Sequence, residues 1–258
     1  MSAVDLLHIT DTHLTRGGEE RLLGVDTTAS LWTVMGQALR RHSPDAILVS
    51  GDIAHDANTE TYIELDVRLR TAFDGEIRYA CGNHDSIQTM CEAGLDQSNL
   101  HLGAFTLVVT DTHAEGKVEG EFTTSDLAHL KSNLAAGKTT HILVGGHHAP
   151  VEIGTPWLDE HRIRGSESLL DCLGDDPRVR GYVFGHVHQA IDTRHGDLRL
   201  LATPSTCFQF LPGSPTFSLD TRSAGYRLIR LHADGSIESQ VHRVSGVPSD
   251  LDRSRLKY

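Results

Sequence analysis

"RYACGNHDS", residues 78–86, runs a short apolar stretch into a glycine and then sets an amide, an imidazole and a carboxylate side by side. Four other segments end in the same way: "LLHITDTH" (6–13), "AILVSGD" (46–52), "HILVGGHH" (141–148) and "GYVFGHVH" (181–188). Each is short, partly β-branched and closed by Gly or a small turn before Asp, Asn or His, as expected of buried strands that end at a polar edge.

Helical patterns lie between them. In "TTASLWTVMGQALRRHSP" (27–44), Leu31, Val34, Met35, Ala38 and Leu39 fall at i, i+3, i+4, i+7 and i+8, with Thr28 as the expected cap. "NTETYIELDVRLRTAFDG" (58–75) repeats this through Tyr62, Leu65, Leu69 and Phe73, and "TTSDLAHLKSNLAAG" (123–137) starts with capping residues and closes on Gly137. "GSESLLDCLGDDP" (165–177) predicts a shorter helix. After His188 the pattern turns to β. "DLRLLATPSTCFQF" and "YRLIRLHADGSIESQVHRV" alternate, with Ala233-Asp234-Gly235 as a hairpin turn. This β-rich portion, about 195–246, reads as a meander or a second sheet, and residues 1–258 read as one α/β domain.

Composition narrows the function classes. Lys plus Arg number 23 against 35 Asp plus Glu, a formal net charge of −12, and no basic run tracks a phosphate backbone, so nucleic acid is excluded as a bulk partner. No stretch approaches eighteen apolar residues and "MSAVDLLHIT" lacks a signal-peptide pattern, so the expectation is a soluble, cytoplasmic protein with no membrane partner. Cys81, Cys91, Cys172 and Cys207 have neither metal-site nor disulfide-scaffold spacing and read as free thiols. Histidine is the unusual residue, with 17 copies spread along the chain.

Strand ends on one edge of an α/β sheet bring distant positions together. Taken alone, Asp11-x-His13 is an Asx turn, Gly51-Asp52 is common turn chemistry and Asn83 caps a helix. Taken together, two carboxylates, one amide oxygen and four imidazoles make two sites of about four ligands each, sharing one carboxylate. Asp52 is the candidate bridge, expected to offer one oxygen to each cation. With N and O donors and no thiolate, the set favours Fe, Mn or Zn, and it carries too many imidazoles for Mg alone.

The series Asp11/His13, Gly51-Asp52, Gly82 to Asp85, His147-His148 and Gly185 to His188 resembles the calcineurin-like (class III) metallophosphoesterases. "LLGVDTTASLW", "HHAPVEIGTPWLDEHRIRG" and the stretch 199–243 resemble, more narrowly, the bacterial 3′,5′-cyclic AMP phosphodiesterases of the CpdA type. The likeness covers about residues 5–244. It implies a four-layer αββα sandwich with mixed central sheets and two divalent metal ions per subunit, Fe and/or Mn. One metal would be held by Asp11, His13, Asp52 and His188, the other by Asp52, Asn83, His147 and His186; the register to Pro150 favours His147 over His148. The implied substrate-binding set is His13, Asp52, Asn83, His84 and His188, with His84 catalytic at the leaving group and Asp85 orienting a histidine or capping the next turn. The reaction implied is hydrolysis of the cyclic nucleotide to 5′-AMP by a hydroxide held between the metals. Hydrolysis of 2′,3′-cyclic nucleotides or of diesters in general is the alternative within the same superfamily, and a non-catalytic metal-binding scaffold is the alternative outside it. Trp157 and Thr203–Phe208 are the expected adenine contacts, and the apolar-lined C-terminal meander is where a homodimer would form.

Overall fold

A computed structural model describes residues 3–18, 21–246 and 251–252, so both ends of the expected 1–258 domain lie outside the described residues. The first three polar-ended segments are strands β1 (Val4–Ile9), β2 (Ala46–Ser50) and β3 (Glu76–Ala80), separated by helices α1 (Thr27–Arg41) and α2 (Thr59–Ala72). Asp26, rather than Thr28, caps α1: its carboxylate accepts from Ala29 N at 2.8 Å, one residue outside the helix, where an N-cap must sit. Asn58 caps α2 in the same way.

Helix α3 (Ile87–Glu92) and strand β4 (Leu100–Leu102) lead into the second half of the chain. There β5 (Phe105–Val109), α4 (Thr124–Ala136), β6 (His141–Gly145), α5 (Pro156–Asp159), α6 (Ser166–Asp175) and β7 (Val179–Phe184) alternate, before β8 (Ile191–His195) and β9 (Leu198–Ala202) form a hairpin. Thr123 and Asp126 close a reciprocal capping box on α4, and Gly137 follows its last residue, as the sequence predicts. A two-stranded ribbon, β10 (Gln209–Phe210) and β11 (Leu219–Asp220), precedes the hairpin of β12 (Gly225–Leu231) and β13 (Ile237–Arg243).

Two mixed sheets stack face to face. The first has the order β13-β12-β1-β2-β3 and the second β4-β5-β6-β7-β9-β8. Odd and even residues of each central strand face different layers. Leu6, Leu48, Leu143, Val183 and Ile229 fill the space between the sheets. Leu7, Val49 and Tyr79 pack under α1–α3, and Val144, Tyr182 and Phe184 under α4 and α6. The architecture is the expected αββα sandwich.

Within the β-rich end only the short β10-β11 ribbon forms a sheet of its own, and the longer strands join the two main sheets. β8 and β9 extend the second sheet, while β12 pairs antiparallel with β1 and covers an otherwise open edge of the first. Its apolar Ile229 and Leu231 are buried within the chain. Arg227 of β12 staples the sheets together, donating to the carbonyls of Ile191 and Ala202 at 2.8 and 2.6 Å and to Ser239 Oγ at 2.6 Å. No helix among the described residues is long and apolar enough to cross a membrane.

Candidate dimetal site

The five polar segments divide between the sheets: β1, β2 and β3 end on one, β6 and β7 on the other, and both C-terminal edges meet. Asp11, His13, Asp52, His186 and His188 all hold positive φ, between 44° and 64°. For residues with a Cβ that conformation costs about 1–3 kcal/mol each and clusters at functional sites. Surrounding hydrogen bonds impose it: Asp11 N donates to Gly51 O, His13 N to Asp52 O and Gly185 N to His147 O. A Cβ on Gly82 would overlap Asp52, and one on Gly185 would overlap Thr10 and Asp11, so these two glycines allow the strand ends to close on one another.

All seven predicted ligands converge. In the first group His13 Nε2 lies 3.2 Å from His188 Nε2, His188 Nε2 lies 3.4 Å from Asp11 Oδ1, and His13 Nε2 lies 3.7 Å from Asp52 Oδ2. In the second, His147 Nε2 is 3.3 Å from both Asp52 Oδ2 and Asn83 Oδ1, and Asn83 Oδ1 is 3.0 Å from His186 Nδ1. Ligands bonded to one cation at 2.0–2.2 Å sit about 3.0–3.5 Å apart, so both groups have the spacing of a coordination shell. Asp52 Oδ2 faces both groups. Its Oδ1 accepts from His84 N at 2.9 Å.

Tautomers agree with this donor set. His147 Nδ1–H donates to Ser50 O at 2.7 Å and His188 Nδ1–H to Phe208 O at 2.8 Å, leaving each Nε2 lone pair facing its group. Burial opposes a charged His147, yet Asp52 and Asp11 push it up to about 9, so without a metal Nε2 carries a proton toward Asp52 that a bound cation would displace. Burial likewise opposes ionisation of Asp52, but His147, His84 and His13 hold its carboxyl well below the usual range. Burial lowers His13 and His186, keeping their nitrogens unprotonated and fit for metal binding.

His84 stands beside the groups. Its Nδ1–H donates to the carbonyl of His55 at 2.9 Å, and its ring stacks on that of His55 with centroids 4.8 Å apart. Asp85 neither orients a histidine nor caps a helix, since Ser86 caps α3. It is a buried clamp that accepts from Ile53 N, Ala54 N and Gly82 N at 3.0–3.2 Å and from Tyr62 Oη at 2.8 Å, tying the Asp52 loop to the Asn83 loop.

A pocket of about 250 Å³ opens onto the cluster. Asp52, Asn83, His84 and His188 line it, together with His186; His13 lies fully buried beneath. Its outer wall is Trp157, Leu158, His161 and Phe210, with Gly116, Lys117 and Val118 from the loop after β5. Of the residues expected to contact adenine, Trp157 lines this pocket and Thr203–Phe208 does not. Thr203 Oγ1 meets His8, Ser205 Oγ bonds Asp11 O and the Phe208 ring stacks on His13 and His188, so this segment supports the ligands from behind. His55, His161 and the 116–118 loop escaped the sequence reading because no spacing motif marks them; the one signal for His55 is its position three residues after Asp52.

The comparisons match this geometry. Residues 4–190 match the family model of the calcineurin-like phosphoesterases. The chain is 36% identical over 262 residues to the 3′,5′-cyclic adenosine monophosphate phosphodiesterase CpdA of Pseudomonas aeruginosa, covering 100% of this chain and 96% of that protein. It is 36% identical to the protein of the same name from Escherichia coli (strain K12), covering 99% of this chain and 95% of the relative. Among solved structures, a dimetal phosphatase from Danio rerio aligns with a TM-score of 0.60 at 14% identity over 95% of this chain and all of that one. The purple acid phosphatase PPD1 of yellow lupin aligns at 0.64 and 13% identity, over 96% of this chain and 52% of that one. With strand ends, donor groups and fold all in agreement, the chain belongs to the calcineurin-like phosphoesterase family.

Proposed function

We propose that this chain hydrolyses 3′,5′-cyclic AMP to 5′-AMP as a cytoplasmic, dimetal-dependent phosphodiesterase. The observation that carries the reading is the pair of donor groups joined at Asp52 Oδ2, with His84 and an apolar-walled pocket beside them. The full-length likeness to cyclic AMP phosphodiesterases supports the substrate. Asp11, His13, Asp52 and His188 would hold one cation and Asp52, Asn83, His147 and His186 the other, with iron or manganese suited to these nitrogen and oxygen donors. Such cations supply Lewis acidity at a phosphoryl oxygen and a nucleophile at neutral pH.

The protein's own groups do the rest. His84, fixed through Nδ1 by the His55 carbonyl, holds a proton at Nε2 for the departing 3′-oxygen. Trp157, Leu158, Phe210 and Val118 offer apolar surface to the base and exclude water around the diester. The buried carboxylates Asp11 and Asp52 fix the site, while the chain's −12 charge is screened beyond roughly 8 Å at physiological salt. In this reading the whole chain acts as one domain, because β12 and β13 complete the sheet that carries Asp11, Asp52 and Asn83.

The test is a substrate panel after chelation and readdition of Mn or Fe: 3′,5′-cAMP, 2′,3′-cAMP and bis-p-nitrophenyl phosphate. Metal-restored formation of 5′-AMP from 3′,5′-cAMP, at a higher kcat/KM than for the 2′,3′ isomer, supports the proposal. Turnover of the other two esters alone would leave the metal site standing and overturn the substrate.

A further inference from the structure

His148 follows a predicted ligand and sits among others, with ring centroids 4.8 Å from His147 and 4.6 Å from His186. By position it belongs to the second donor group. Its nitrogens are engaged elsewhere. Thr112 Oγ1–H donates to Nδ1 at 2.8 Å, and Nε2–H donates to the carbonyl of Val118 at 3.2 Å; one neutral tautomer satisfies both. The backbone N–H of His148 in turn donates to Thr112 Oγ1 at 3.3 Å.

Both partners belong to one segment, Thr112–Glu121, which leaves the end of β5 and brings Gly116, Lys117 and Val118 to the pocket wall. Its return end is pinned: Arg164 N donates to Gly120 O and Phe122 N to Arg164 O, both at 2.8 Å, and Arg164 pairs with Glu119. Residues 115–118 are exposed. There the His148 ring reaches up to hold the main chain. A Cβ at position 120 would lie 2.7 Å from His148 Cγ, so the loop can lie against the ring because residue 120 is glycine.

We infer that His148 is a positioning residue for the substrate, not a metal ligand: it fixes the Thr112–Glu121 loop as a pocket wall and so sets the affinity for the nucleoside part of a cyclic nucleotide. The substrate half of this inference rests on the proposed function; the anchoring half does not. The adjacent histidines then divide the work, His147 facing the cations and His148 the loop that covers the substrate.

Thr112→Val, Thr112→Ser and His148→Ala, each prepared as the metal-loaded full chain, test it. Expected are two metal ions per chain in all three by elemental analysis, and faster hydrogen exchange over residues 113–118 in Thr112→Val and His148→Ala. For 3′,5′-cAMP, KM should rise by about tenfold in those two variants, the effect of losing one buried hydrogen bond, with kcat changed less. Bis-p-nitrophenyl phosphate, which has no nucleoside, should show a smaller rise. Thr112→Ser should restore both readouts, and the double variant should be no worse than His148→Ala alone. Loss of one metal equivalent in His148→Ala would make His148 a ligand and overturn the inference, as would unchanged loop exchange in Thr112→Val. Equal KM effects on both esters would overturn the nucleoside role. If the chain turns over no cyclic AMP, the substrate reading fails by itself, while metal content and loop exchange still decide whether His148 anchors the loop. Should His148→Ala fail to fold, Thr112→Val carries the same readouts.

Discussion

The backbone N–H of His84 donates to Asp52 Oδ1 at 2.9 Å, so the carboxylate that joins the two donor groups also holds the neighbouring loop. With Oδ1 engaged, Oδ2 is the atom left to face His13 at 3.7 Å and His147 at 3.3 Å. The same bond places the His84 ring next to the Asp52 carboxylate, so the proposed shared ligand and the proposed leaving-group residue are set by one contact between two strand-end loops.

Asp52→Ala should therefore do more than delete a ligand. It removes the shared oxygen and the acceptor that holds the His84 loop, so metal content should fall toward zero and turnover below detection. Elemental analysis with the activity assay checks this; retention of two ions would show that Oδ2 is not the bridge.

His84→Ala removes a ring that packs edge-on against His13, with centroids 5.0 Å apart, but keeps the backbone N–H that holds Asp52 Oδ1. Two ions should remain bound, and hydrolysis of 3′,5′-cAMP should fall about 10²–10⁴-fold, the range for loss of general acid–base assistance. A nitrophenyl diester needs little protonation of its leaving group and should lose much less. Equal losses on the two substrates would remove His84 from the leaving-group role.

Asp85→Ala leaves Ile53 N, Ala54 N, Gly82 N and Tyr62 Oη without their common acceptor. Because these groups join the loops bearing Asp52 and Asn83, metal affinity should drop about 10–100-fold, as when a group that orients ligands is lost. Tyr62→Phe removes one of the four partners and should cost only about 1 kcal/mol of stability. Metal titration and denaturant unfolding separate the two; an Asp85→Ala protein with unchanged affinity would reduce the clamp to a packing role.

Much of this was legible in the strand ends. An apolar run followed by Gly or a small turn and then Asp, Asn or His signals where a chain leaves the core, and that signal located all seven candidate ligands. Which sheet each strand joins is not written locally: β3 and β6 read alike, yet one pairs with β2 and the other lies between β5 and β7. Likewise β12 finds β1 across most of the chain because β1 offers an open edge, a fact of tertiary structure. The supporting residues were hidden for the same reason. Asp85 acts on backbone groups about thirty positions away, and His148 on Thr112 and Val118, so neither role leaves a spacing in the sequence.

His8 gives a pH prediction away from the donor groups. It lies fully buried between Ser50 Oγ and Thr203 Oγ1, each at 2.6 Å, and burial followed by the Arg227 charge lowers it to about 3. The unfolded chain takes up this proton near 6.5 whereas the folded protein refuses it down to about 3. Its contribution to stability is thus complete above pH 6.5 and declines as pH falls toward 3, with a slope of at most about 1.4 kcal/mol per pH unit. Unfolding free energies of the wild type and His8→Gln between pH 7.5 and 5 should show a shallower dependence in the variant; parallel curves would contradict the assignment.

Stepwise reconstitution of the metal-free chain with Mn, with bound metal, 3′,5′-cAMP turnover and product followed in the same samples, tests the central claim most directly. The dimetal reading predicts little turnover at one equivalent, a steep rise as the second binds, and 5′-AMP as the product. Full activity without metal, or two bound ions with no 5′-AMP formed, would contradict it.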